Sequence, residues 1–343
     1  MSDYLKGIGM VFLSLSLAAV VACGGGAATA PAEEAMAVEE DAATNTGFID
    51  RQLPNPTSEV ITQWAELPDG RTWGSTAGID IGPDGHIWVY DRCGANGLDG
   101  GCEANSDVDP ILKYDRHTGE ILANFGAGLF VLPHGLHVDD DGNVWVTDSQ
   151  GNDAGTKGHQ VIKFSPEGEV LMTLGEAGTP GTGPGQLNEP CDVITAPNGD
   201  IFIADGYGNS VVHHYASDGN YIKSFGAPGE EFGEFSTPHG IWVDADSLVY
   251  VADRENNSVQ IFDTDGKFIT AWTDFYHPMD LWQDQHGMFY VTDQTSRVSV
   301  LSPDGTLISR TRAPDAGHGI YGDSQGNLYL SAAFRGIAKM ERR

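Results

Sequence analysis

At 343 residues the chain is long enough for one large closed β-architecture or for two ordinary domains. Its 45 glycines and 17 prolines are spread along the whole length, which suits many short strands and tight turns better than a few long helices. A formal charge of −31 argues against nucleic acid as a partner, because phosphate recognition needs clusters of Lys and Arg that are absent here.

Residues 1–23 are expected to be an export signal. Lys6 gives a weak positive start, Val11 to Ala22 is an apolar run, and Val20-Val21-Ala22-Cys23 has the form of a bacterial lipobox. The run is too short to stay in a bilayer as a helix, so cleavage and lipidation at Cys23 are expected. The following stretch is rich in Ala, Gly and acids (Glu33, Glu34, Glu39, Glu40, Asp41) and poor in large apolar groups. It cannot bury enough surface to fold, and a flexible tether is assigned to 24–56. These readings place the protein in the cell envelope as a monomer, touching the membrane through a lipid anchor only. Export implies an oxidising compartment, in which Cys93 and Cys102 are near enough in sequence to close a small loop, while Cys191 has no evident partner.

From there the chain repeats itself. Six segments align: Gly78–Asp91, Gly135–Asp148, Asp192–Asp205, Gly240–Asp253, Asp280–Asp293 and Gly319–Ala332. Each reads as a short apolar strand, a polar turn and a second strand. A second strand pair follows most of them, as in Val161–Gly175 and Val259–Trp272. Its turns, such as Pro166-Glu167-Gly168 and Thr264-Asp265-Gly266, are strong hairpin signals. Four antiparallel strands in each of six repeats predict an all-β, six-bladed β-propeller over 57–343. The last repeat runs out after a third strand at Ile337, and an open blade edge would leave backbone groups unpaired. The segment Glu59–Leu67 resembles the fourth strands of the other repeats. It is predicted to close the ring.

The residue ending the second strand is Asp91, Asp148, Asp205, Asp253, Asp293 or, in the last repeat, Ala332. Fourteen positions earlier stand Ala77, His134, Cys191, His239, Met279 and His318. These share one register at the start of the innermost strands and so should ring the axis. Histidine occupies every second blade, about 120° apart, so three imidazoles can converge on one point. Three neutral nitrogens with an open position are what catalytic zinc uses. The competing reading is that such a histidine merely fills space. Cys191 is open to two readings, a thiolate ligand or a small buried apolar residue.

The loops after the marker aspartates surround the same point and supply Arg92, Tyr207 and Arg254. The longest, Cys93 to Pro110 and Ser149 to Gln160, suggest a functional mouth. Arg254 has a rival role as a salt-bridge partner of Glu255 or of a neighbouring blade. The marker aspartates read as turn caps. His86, His117, His137, His159, His213, His214, His277 and His286 read as surface or structural residues in turns, loops or outer strands.

Over about residues 57–343 the chain resembles the peptidyl-α-hydroxyglycine α-amidating lyases, NHL-repeat propellers. The resemblance is carried by Leu132–Asp148, Asp205–Ser210, Pro238–Ile241 and Ala252–Phe262. It implies zinc on His134, His239 and His318, an active-site tyrosine at Tyr207, and functional arginines at Arg92 and Arg254. Where the family has a methionine before the third histidine this chain has Ala316. Where it has an acid associated with calcium, this chain has Gly319, so a calcium ion is only weakly implied. Both ends of a family disulfide are missing, at Asn188 and Gly208. The implied reaction cleaves a C-terminal α-hydroxyglycine peptide, or a similar small α-hydroxy amide, to an amide and glyoxylate. Zinc would act as a Lewis acid at the hydroxyl, and Tyr207 would take the proton, its phenolate favoured by Arg92, Arg254 and the metal. An arginine would grip the substrate carboxylate. Two rivals stand beside it: a non-catalytic NHL propeller binding a peptide or envelope protein, and a lactonase-like hydrolase, whose hard oxygen ligands for calcium the imidazoles do not match.

Overall fold

In the computed structural model, which describes residues 57–61, 64–68, 70–95, 101–332 and 336–342, every repeat becomes a four-stranded antiparallel sheet. Blade 4 shows why. Its strands Pro238–Val243, Val249–Asp253, Ser258–Phe262 and Phe268–Trp272 are separated by short polar turns, the last closed by Gly266 at φ +78°. That left-handed conformation is open to glycine without steric cost. The second and third strands are buried throughout, whereas the outer strand is largely open to solvent. The sequence follows suit, with continuous apolar runs inside and polar residues admitted outside.

The inner strands are Thr76–Ile81, Pro133–Val138, Asp192–Thr195, Pro238–Val243, Pro278–Gln283 and Gly317–Gly322. Each packs against the next, and the sixth against the first, so the ring is closed. Six apolar clusters lie one at each seam between blades, for example Trp88, Tyr90, Phe130, Leu136, Val146 and Phe164 between blades 1 and 2. Burial of this apolar surface holds the blades together and fixes where the inner strands point. Blade 6 is completed by Thr57–Ile61, which pairs antiparallel with Gly336–Arg342, Val60 opposite Met340. The N-terminal strand therefore closes the propeller. The assigned strand is shorter than the predicted Glu59–Leu67.

The marker aspartates do cap turns. Asp148 accepts the backbone N–H groups of Val131 and Leu132, Asp205 that of Asn188 and Asp253 that of Ser236. Each thereby pins the loop that leads into its own blade. The expected export signal with Cys23 and the expected tether over 24–56 lie outside the described residues. No helix among the described residues is long and apolar enough to cross a membrane.

Candidate active site

His134, His239 and His318 each occupy the second position of an inner strand, in blades 2, 4 and 6. Their ring centroids form a nearly equilateral triangle with sides of 4.8, 4.6 and 4.8 Å and interplanar angles of 64° to 65°. One ligand nitrogen from each lies within 4.8 Å of the others. The alternate blades complete the pattern. Nδ1 of His134 is 2.7 Å from the Cys191 carbonyl, Nδ1 of His239 is 2.8 Å from that of Met279, and Nδ1 of His318 is 2.8 Å from that of Ala77. A carbonyl only accepts, so each Nδ1 carries the proton and each Nε2 keeps its lone pair. The six residues of one register thus supply three imidazoles and three backbone carbonyls that orient them.

Burial, reinforced for His134 and His239 by the neighbouring imidazoles, holds those two rings well below the usual histidine range; burial and Arg92 push His318 down to about 3. All three are neutral near pH 7, as ligands must be. Three locked, neutral imidazole nitrogens facing one point match the donor set of a three-histidine zinc site. Cys191 takes part through its carbonyl, not its sulfur: the buried thiol sits against Gly206, and burial raises its pKa.

The loops bring in the remaining groups. The Tyr207 hydroxyl lies 3.0 Å from Nε2 of His134 and 3.2 Å from Nε2 of His239. Arg254 donates from Nη1 to that hydroxyl at 3.1 Å and from Nε to Glu255 at 2.8 Å. The salt bridge with Glu255 read from the sequence is present, and the same guanidinium also meets Tyr207. Arg92 is buried and donates from Nε to the carbonyl of Pro133, the residue before His134, at 2.9 Å. It acts on Tyr207 through its charge. Burial raises Tyr207 to about 12, and the opposing pull of Arg254 and Arg92 does not overcome it. The protein alone keeps this phenol protonated at neutral pH.

Cys93 and Cys102 are joined by a disulfide directly behind Arg92. The helical turn Gly101–Ala104 that carries Cys102 packs on the Arg92 backbone, and Cys102 donates to the Val131 carbonyl at 3.0 Å. Lys157 reaches Glu103 at 3.0 Å and so ties together the two long loops at the mouth. Asn188 and Gly208, where the family's disulfide is absent, face each other; the Gly208 N–H donates to the Asn188 carbonyl at 3.0 Å, and Tyr207 N–H to that of Glu189 at 3.4 Å. Backbone hydrogen bonds hold the Tyr207 loop instead.

Below the triad the axis contains a cavity of about 40 Å³ lined by Asp80, Asp192, Asp280 and Trp242 among others. Asp192 and Asp280 stand at the same register as Gly319, but each accepts a backbone N–H of the next blade, from Ile241 and Ile320. They act as buckles between blades. His137 also needs reassignment. It lies on the inner strand of blade 2, not in a turn or outer strand, and bridges Asp80 at 3.0 Å to Thr195 at 2.8 Å. His213 likewise sits on a buried third strand, 3.0 Å from Asp205. Both roles are structural. Toward the other ends of the inner strands the Tyr321 ring lies 6.1 Å from that of Trp242 and 5.5 Å from that of Trp282.

The NHL repeat family matches residues 235–262. A protein of Caenorhabditis elegans named as a probable peptidyl-α-hydroxyglycine α-amidating lyase is 31% identical over 292 residues, covering 78% of each chain. The peptidyl-glycine α-amidating monooxygenase of Mus musculus is 38% identical over 169 residues, but these are 47% of this chain and only 16% of that longer protein. Among solved structures, a streptogramin B lyase superposes with a TM-score of 0.59 at 15% identity, covering 84% of this chain and all of that one. A gluconolactonase from Xanthomonas campestris gives 0.61 at 15% identity, covering 86% and 96%. At such identities the structural neighbours speak to the propeller fold alone.

Proposed function

The chain belongs to the peptidyl-α-hydroxyglycine α-amidating lyase family, and from that premise we propose that it cleaves a C-terminal α-hydroxyglycine peptide, or a similar α-hydroxy amide, into an amide and glyoxylate. One observation carries the reading: three Nε2 atoms locked by backbone carbonyls converge where the Tyr207 hydroxyl and Arg254 also meet. The reaction breaks a C–N bond, whose electron pair leaves with nitrogen, while the α-hydroxyl oxygen becomes a carbonyl. The hydroxyl loses one proton and the nitrogen gains one, so the net change needs no acid from solvent.

Tyr207 stands where that proton must pass. As phenolate it would take the hydroxyl proton, and as phenol return it to the leaving nitrogen. Held at about 12, it needs a nearby positive charge to serve as a base. A zinc ion on His134, His239 and His318 would supply that charge and Lewis acidity toward the substrate oxygen. Arg254 makes two hydrogen bonds with its five N–H donors, which leaves donors for a substrate carboxylate. Arg92, itself buried, adds a second cation that favours anionic groups in the same place. We also propose that the export signal and Cys23 place the propeller at the envelope by a lipid anchor, which a mass measurement of the mature N-terminus would test.

The direct test is incubation of purified protein with a peptidyl-α-hydroxyglycine, measuring glyoxylate with and without a chelator. Glyoxylate release that stops on chelation and returns with zinc supports the reading. No release from zinc-loaded protein, or release indifferent to chelation, refutes it.

A further inference from the structure

Arg254 and Glu255 are neighbours in one tight turn at the mouth of blade 4. The turn is closed by the Asn257 N–H donating to the Arg254 carbonyl at 3.2 Å. It is also tied to the segment that leads into His239: the Arg254 N–H donates to the Thr237 carbonyl at 3.1 Å and the Glu255 N–H to that of Ser236 at 3.0 Å. Across the seam, the entry loop of blade 5 brings His277, whose Nδ1 lies 3.6 Å from Oε2 of Glu255. The His277 N–H donates to Oδ1 of Asn257 at 2.9 Å, and its ring stacks on Tyr276 with centroids 4.4 Å apart.

Four residues in these adjoining segments adopt left-handed backbone without being glycine: Thr237 at φ +64°, Asn257 at +55°, Asp274 at +76° and His277 at +51°. For β-branched Thr237 this conformation is a true outlier. Glu189 of blade 3 repeats the conformation at the register shared by Thr237 and His277, so it belongs to the entry loops, and the aim of the Arg254 guanidinium is set by its side-chain partners. Oε1 of Glu255 holds Nε, His277 lies against the other carboxylate oxygen, and Nη1 is thereby directed at the Tyr207 hydroxyl.

We propose that Glu255, backed by His277, is a positioning residue for the lyase reaction: it fixes the rotation of Arg254 so that one nitrogen meets Tyr207 while the remaining N–H groups are presented to the substrate carboxylate. The inference rests on the lyase reading above. The Glu255 carboxylate bonds to Arg254 and lies against His277, so its effect passes through Arg254.

The test compares steady-state glyoxylate release by wild type, Glu255→Gln, Glu255→Asp and His277→Ala as full, zinc-loaded chains, with melting temperature and bound zinc measured alongside. A free α-hydroxyglycine substrate is compared with its carboxamide. Glu255→Gln should lose about tenfold in kcat/KM for the free acid and much less for the carboxamide, so the preference between the two narrows. Glu255→Asp, which keeps the charge, should recover part of that preference, and His277→Ala should lose about threefold in the same direction. Zinc content and melting temperature should stay near wild type. Equal losses on both substrates, or no loss in any variant, would overturn the positioning role. Should Glu255→Gln fold poorly, Glu255→Asp and His277→Ala still decide it by their substrate preference. A wild type that releases no glyoxylate instead overturns the lyase reading itself.

Discussion

Asp148 gives the sharpest test of the electrostatics built into the blades. It is 1% exposed at the end of the second strand of blade 2 and accepts N–H groups from Val131 at 3.0 Å and Leu132 at 2.7 Å. Burial outweighs those bonds and raises its carboxyl from 3.8 to about 7. The folded state therefore prefers the protonated acid. The stability this contributes is complete below pH 4 and is lost as pH rises through about 7. At 1.36 kcal/mol per pKa unit, the loss is about 2 kcal/mol by pH 5.5 and about 4 kcal/mol by pH 8. Asp148→Asn keeps the shape and one accepting oxygen, removes the titration, and sets an amide nitrogen against the Val131 N–H at a cost of about 1–2 kcal/mol. Urea unfolding at pH 5.5 and pH 8, both above the sequence pI of about 4.4, should show the Asn variant gaining about 2 kcal/mol on wild type across that interval. A difference that stays constant, or moves the other way, would mean that the backbone hydrogen bonds win and the folded carboxyl is ionised throughout.

Other consequences are as direct. Tyr207→Phe removes the hydroxyl shared by His134, His239 and Arg254; glyoxylate release should fall about 10²- to 10⁴-fold with zinc content unchanged. A Cβ on Gly135 would stand 2.4 Å from Oδ1 of Asp192 and 2.6 Å from the Cys191 carbonyl that orients His134, whereas one on Gly319 would meet Ala77 O at 3.2 Å and Ser331 Oγ at 2.8 Å. Gly135→Ala should therefore cost about 1–3 kcal/mol and weaken zinc binding about 10- to 100-fold by competition assay, with Gly319→Ala milder on both counts. Replacing Cys93 and Cys102, nine positions apart, by serine should lower unfolding free energy by about 2–3 kcal/mol in denaturant titration, and a loss near zero would refute the loop-closure account.

The propeller and its axial ring were legible because repetition forces one register. A count of fourteen from the marker residue reaches the six positions that line the axis, whatever residue type stands there. The carbonyls that orient the imidazoles were not legible. Every residue carries one, and Ala77, Cys191 and Met279 share position rather than chemistry. The pull of Arg92 and Arg254 on Tyr207 was legible from loop position, but the depth of burial that opposes it was not. His137 was misplaced because the pattern of the first strands was read for its apolar positions, and a histidine satisfied by Asp80 and Thr195 breaks that pattern without leaving the strand. The hold on Arg254 joins Glu255 to His277 across two blades, a contact with no counterpart in the repeat, and only the assembled seam brings it into view.

The central claim is that three imidazoles from alternate blades bind one ion. Metal analysis of purified wild type beside His134→Ala, His239→Ala and His318→Ala, after dialysis against limiting zinc, tests it without reference to any substrate. About one zinc per chain in wild type and almost none in each single variant is the predicted result. A wild type that retains no metal, or variants that retain it undiminished, would contradict the claim.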